Sequence, residues 1–188
     1  MSALRDATHD RHERLEAAFP WGQAFASREN YARLLRAMEI LVCAADQAVD
    51  AQLSADATAG VRRRASWIAH DLRQLGTEPA PTDEIAVPDF SFVNSPGRAI
   101  GCLYVLEGSA LGAQYLSRQL HTRLGISAET GGRYLAAYGE RTGERWKAFQ
   151  EWANGALQSP ELLNDAVFAS LRTFERFSES LTGLFDGR

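Results

Sequence analysis

GCLYVLEGSALGAQYL, running from Gly101 to Leu116, places three glycines at spacings of seven and four residues. At 100° per residue, Gly101, Gly108 and Gly112 fall within about 40° of helical arc, so a helix here carries one face without side chains. Each glycine inside a helix costs about 0.5–1 kcal/mol relative to alanine, and three in line call for a compensating contact. Two occupants would supply it: a second helix packed closely through a Gly-xxx-Gly face, or a flat ligand lying on the backbone. Ser95 followed by Pro96 resembles an N-cap with proline at the first helical position, and Gly125 is a natural end. The spacing therefore predicts one long helix from Ser95 to Gly125.

On both sides of this helix, apolar residues recur at three- and four-residue spacing and sustained alternation is nearly absent, which predicts an all-α protein. A first helix is expected from Ala3 to Phe19, stopped by Pro20. A second follows Ser27 as N-cap and runs through Tyr31, Leu34, Leu35, Met38, Leu41 and Val42 towards Leu53. A third is expected over Ala59 to Leu75, and residues 76–94, with Pro79, Pro81 and Pro88, form the main connection. Segments from Ser127 to Tyr138 and from Thr142 to Leu157 precede a second Ser-Pro start at Ser159 and Pro160, whose helix runs towards Leu184.

The 188 residues are 45% hydrophobic and 23% charged, which suits one domain spanning residues 1–188 with one core. A formal charge of -4 argues against broad nucleic-acid binding, which needs a concentrated basic surface. The longest strongly apolar run, Ile40 to Ala45, is far short of the roughly 20 residues of a membrane span, and the first residues lack a secretory apolar stretch. A cytoplasmic protein is expected. Cys43 and Cys102 sit apart in apolar surroundings with no CxxC, and read as reduced packing residues.

In the first helix, Leu4, Thr8, His12, Leu15 and Phe19 share one broad side, whereas His9 lies closer to Glu13 on the polar edge. His12 is the better candidate for a buried ligand, because a neutral imidazole gives one lone pair to a metal while its other nitrogen is oriented by a partner. A structural histidine would occupy the same position. Glu39 and Asp46 do not specify a di-iron site without an ExxH pair. His70 and His121 have no convincing ligand partners, and Trp67, Trp146 and Trp152 read as core or rim aromatics.

Two blocks, LRDATHDRHERLE from Leu4 to Glu16 and YVLEGSALGAQ from Tyr104 to Gln114, together resemble the haem oxygenase family, especially its bacterial members that supply biliverdin to bacteriophytochromes. YGERTGERWKAF, from Tyr138 to Phe149, adds a weaker third block. The resemblance implies a helical domain with haem between a proximal and a distal helix. His12 would be the iron ligand, Glu16 a partner of its imidazole, and Arg5 a neighbour of a haem propionate. Thr8 and Tyr104 would also line the haem site. Gly108 and Gly112 would let the distal backbone lie over the porphyrin. Animal members carry an aspartate where this chain has Ser109, and a glycine where it has Ala113. Bacterial members share the Gly-Ser pair, and proton delivery beside Ser109 would run through water, backbone groups or another side chain.

What the resemblance implies about activity is oxygen-dependent opening of haem, which is both cofactor and substrate, to biliverdin, carbon monoxide and ferrous iron. No flavin or nicotinamide motif is visible, so electrons would come from a ferredoxin or a flavoprotein reductase. A bacteriophytochrome is a possible acceptor of biliverdin. Two other readings stay open at this point. One is a haem carrier or sensor with the same fold, and the other is an enzyme of the related thiaminase-like helical fold.

Overall fold

The computed structural model describes residues 1–54, 64–77 and 87–186, and among these the regular elements are all helical. They are α1 (Ser2–Ala18), α2 (Trp21–Ala24), α3 (Arg28–Asp50), α4 (Ala65–Gln74), α5 (Pro96–Leu124), α6 (Arg133–Ala136), α7 (Thr142–Ala156) and α8 (Pro160–Leu181), with a 3₁₀ turn at Gly139–Arg141. The three serine caps form as expected. Ser27, Ser95 and Ser159 each accept a hydrogen bond from the backbone N–H three residues on, at 3.2, 3.3 and 3.2 Å. Gly125 closes α5 in the left-handed conformation, φ 68°, which glycine adopts without a Cβ clash.

α5 is the axis of the fold. Ala99, Ile100, Cys102, Leu103, Val105 and Leu106 bury its first half, and α8 packs along it while also supporting α1. The starts of α5 and α8 are tied by Asp165, which accepts from Ser95 Oγ at 2.5 Å and from Arg98 Nε at 2.9 Å. These two donors hold the Asp165 carboxyl below its usual range.

One expectation needs correction. The segment from Ser127 to Tyr138 is helical only over Arg133–Ala136. Gly131 has φ 116°, and a Cβ on Gly132 would lie 2.9 Å from the Ser127 carbonyl, so the chain turns tightly before it can wind. The first described residues of the third helix begin at Ala65, and residues 59–63 of that expectation lie outside the described residues. Within the expected connection, residues 87–94 carry no regular element.

α6 is held from below. Asp71 on α4, fully buried, accepts from the backbone N–H groups of Arg133 at 2.9 Å and Tyr134 at 2.7 Å. Burial pushes its carboxyl up, against the pull of these two donors. Tyr31 Oη donates to the Gly131 carbonyl at 3.1 Å on the same turn. Asp71→Ala would leave two buried N–H groups without partners and should cost about 3 kcal/mol or more. Asp71→Asn keeps one acceptor and should cost clearly less, a difference that urea unfolding midpoints will read.

Candidate functional site

A cleft of about 1060 Å³ opens between α1 and the second half of α5, with α8 as its floor and Trp146 of α7 on one side. Small-ligand sites typically occupy about 300–1,000 Å³. Arg5, Thr8, His12, Glu16, Tyr104, Gly108, Ser109 and Gly112, distant in sequence, all line it.

The glycine face divides into two uses. A Cβ on Gly101 would stand 2.1 Å from the Ala166 carbonyl oxygen, and one on Gly97 would stand 2.8 Å from that of Leu162. These glycines seat α8, so the close-packing reading holds for Gly101. Higher on the same face, among the described residues, a Cβ on Gly108 would meet only the Trp146 ring at 3.5 Å, and one on Gly112 only Glu16 Oε1 at 3.5 Å. Those are ordinary contact distances, and packing within the chain does not explain either glycine. Their bare backbone faces the cleft instead.

This division yields a test by sign. Gly108→Ala and Gly112→Ala should each stabilise the ligand-free protein by about 0.5–1 kcal/mol through helix propensity. Both should weaken the binding of a flat ligand. Thermal unfolding and ligand titration of the same preparations compare the two effects, and destabilisation without any loss of binding would mark both as packing residues.

On the facing wall, His12 differs from expectation in being exposed: its side chain is 51% accessible at the open cleft. Its ring meets Phe174 edge-on at 6.0 Å between centroids, and its Nε2 lies 3.5 Å from Glu16 Oε1. The Glu16 carboxylate thus spans from His12 to the glycine wall. His9 turns away to Glu13, at 3.3 Å. Thr8 is buried and donates to the Leu4 carbonyl at 2.8 Å. Tyr104 sits beside it on α5, where burial pushes its phenol up, and its ring lies 5.5 Å from that of Trp146.

Arg5 is on the rim, 75% exposed and 3.3 Å from Asp6. Arg123, near the end of α5, is a second exposed arginine lining the cleft. Sequence reasoning passed over it, and its place one turn from a C-cap glycine carries no distinguishing signal. The same holds for Arg64, which follows Arg62 and Arg63 in the sequence yet is 4% exposed and lines the cleft behind Ser109. Ser109 donates to the Leu106 carbonyl at 2.7 Å, so its proton is engaged inside its own helix. Among the described residues there is no cluster of three or more histidine, cysteine or acidic side chains able to hold a bare metal ion.

Fold and cleft together define an all-helical protein with a ligand-sized cleft between two helices, an imidazole on one wall and bare glycine backbone on the other. The profile of the family described as Heme oxygenase matches residues 1–182. Heme oxygenase PigA of Pseudomonas aeruginosa is 29% identical over 95% of this chain and 89% of its own length. A heme oxygenase of Xanthomonas campestris is 30% identical over 85% of this chain and 93% of its own. The solved structure of the NO- and CO-bound heme oxygenase from Neisseria meningitidis superposes with a TM-score of 0.82 at 27% identity, covering 98% of this chain and 91% of that one. Heme oxygenase 2 from Chlamydomonas reinhardtii, solved without heme, shares the fold at a TM-score of 0.74 and 20% identity, over 96% and 95%. The chain belongs to the haem oxygenase family. It is an enzyme of haem cleavage, with haem as both substrate and cofactor.

Proposed function

We propose that residues 1–188 act as one domain that grips haem between α1 and α5, with His12 as the iron ligand. The observation that carries this reading is the pair of glycines, Gly108 and Gly112, left bare opposite His12 where no protein atom needs the space. The walls fit the group: Leu15, Phe174 and Phe177 offer apolar surface to a porphyrin, and Arg5 on the rim suits a propionate. The cleft is open at that rim, which suits a ligand with an apolar body and charged edge.

Haem supplies the oxygen chemistry when bound, with oxygen and an external electron donor, and yields biliverdin, carbon monoxide and ferrous iron. The chain's own part is ligation, orientation and control of water. Glu16 is one turn from His12, with Oε1 3.5 Å from Nε2, close enough to orient the imidazole through one ring nitrogen while the other is left for the iron. Thr8 and Tyr104 close one end of the cleft. The α5 backbone at Gly108 and Gly112 limits the space over the porphyrin, and Ser109 holds water by a lone pair instead of acting as an acid.

The donor is a ferredoxin or flavoprotein reductase, and the biliverdin acceptor a bacteriophytochrome, as the bacterial resemblance suggests. A reducing cytoplasm suits the two free thiols, Cys43 and Cys102. Among the described residues no helix is long and apolar enough to cross a membrane.

The test is turnover of the haem complex with an electron donor in air and catalase present. Loss of the Soret band with release of biliverdin and carbon monoxide is expected, and Ser109→Ala should slow it far less than His12→Ala. A stable oxygenated complex without pigment would favour a carrier instead.

A further inference from the structure

Arginine is almost never fully buried unless it is paired, so the position of Arg64 behind the central helix needs a reason. Its Nη1 donates to the Leu106 carbonyl at 2.8 Å and to Ser109 Oγ at 3.2 Å. The guanidinium rests 4.7 Å from the centre of the Tyr134 ring. Because the Ser109 hydroxyl donates to the same Leu106 carbonyl, what Ser109 presents beyond these two bonds is a lone pair. Among the described residues, Nε and Nη2 of Arg64 are buried without a hydrogen-bond partner. An unpartnered buried donor is destabilising, more so on a charged group, and calls for an explanation.

The surroundings say what that is. Arg64 lines the cleft on one side and, on the other, a cavity of about 10 Å³ bordered by Asp46, Glu107 and Tyr134. That volume takes about one water molecule. The two carboxylates make a buried cation tolerable, and the Tyr138 hydroxyl fixes one of them by donating to Glu107 Oε2 at 2.9 Å. Asp71 fixes the other support, since it clamps the N–H of Tyr134, whose ring carries the guanidinium. A permanent positive charge is thereby held against the α5 wall beside Ser109, from a position in the chain far from either helix that forms the cleft.

We propose that Arg64 is the positioning residue of the α5 wall: it fixes Ser109 as a hydrogen-bond acceptor and sets a positive field on that face of bound haem. A guanidinium does not deprotonate in a protein, so Arg64 orients water and dipoles and is not itself a proton donor in the reaction. This rests on the haem reading above.

Carbon monoxide bound to the ferrous haem complex is the probe, because its infrared stretch falls when a positive field lies near. In Arg64→Met the stretch should move up and kcat for haem cleavage should fall about tenfold, with haem affinity unchanged. Ser109→Ala, which keeps the charge, should move the stretch less. A methionine variant that folds and binds haem but leaves stretch and kcat at wild-type values overturns the proposal and makes Arg64 a brace. If that variant does not fold, Arg64→Lys decides, since lysine keeps the charge but loses the two-point grip on Leu106 and Ser109. A fall in kcat with KM for haem unmoved is then expected, and wild-type kcat overturns it. Failure of the wild-type chain to form a haem complex would count against the haem reading and not against Arg64.

Discussion

His12→Ala should leave the ligand-free protein folded and its haem complex without native axial ligation. The side chain is half exposed, and its contacts are a 3.5 Å approach to Glu16 and an edge-on ring contact with Phe174. Alanine is the better helix former, so the ligand-free stability should stay within about 0.5 kcal/mol. The ferric and ferrous absorption bands should change, and biliverdin formation should fall by about a hundredfold or more, since loss of a mere supporting group at a metal already reaches that range. Added imidazole should restore part of the spectrum by filling the space left. His9→Ala, one turn portion away and paired with Glu13, is the control and should do neither. An unchanged haem spectrum in His12→Ala would sink the assignment.

Gly101→Ala should be the most damaging alanine substitution among the described glycines. The added carbon would lie 2.1 Å from the Ala166 carbonyl oxygen and 2.8 Å from its carbon, and both are backbone atoms that no rotamer change can move. α8 would have to shift off α5, taking with it the Ser170 Oγ bond to the Gly101 carbonyl at 3.0 Å. Overpacking of this kind costs about 3 kcal/mol at the upper end of its usual range. The urea midpoint should drop accordingly, in the opposite direction to Gly108→Ala on the same face. Equal behaviour of the two variants would contradict the division of the helix described above.

Much of this was legible in the residues. Ser-Pro starts, a closing glycine and three- and four-residue periodicity locate α5 and α8 because caps and proline act through local backbone chemistry. His12 and the glycine face were legible as features, and their pairing in one cleft followed from the resemblance. What sequence could not give was the difference between Gly101 and Gly108, which are twins in spacing. One is opposed by the Ala166 backbone and the other by an aromatic edge at contact distance, and neither neighbour is near in the chain. Arg64 was hidden for the same reason: a run of arginines looks solvated until a helix and a tyrosine from elsewhere cover it. The stretch from Ser127 had apolar spacing suited to a helix, and the Gly131-Gly132 turn prevailed over it.

α1 buries little of its length, for Leu4 and Thr8 are its only buried helical side chains. Local opening is cheapest where few groups are buried. A ligand that bridges α1 to α5 therefore spends part of its binding free energy on docking α1, the helix that carries the proposed iron ligand His12. Observed haem affinity is then lower than the contacts alone would give, and by linkage the same ligand raises the free energy needed to detach α1. On the proposed ligation by His12, capture of haem and closure of the site become one equilibrium.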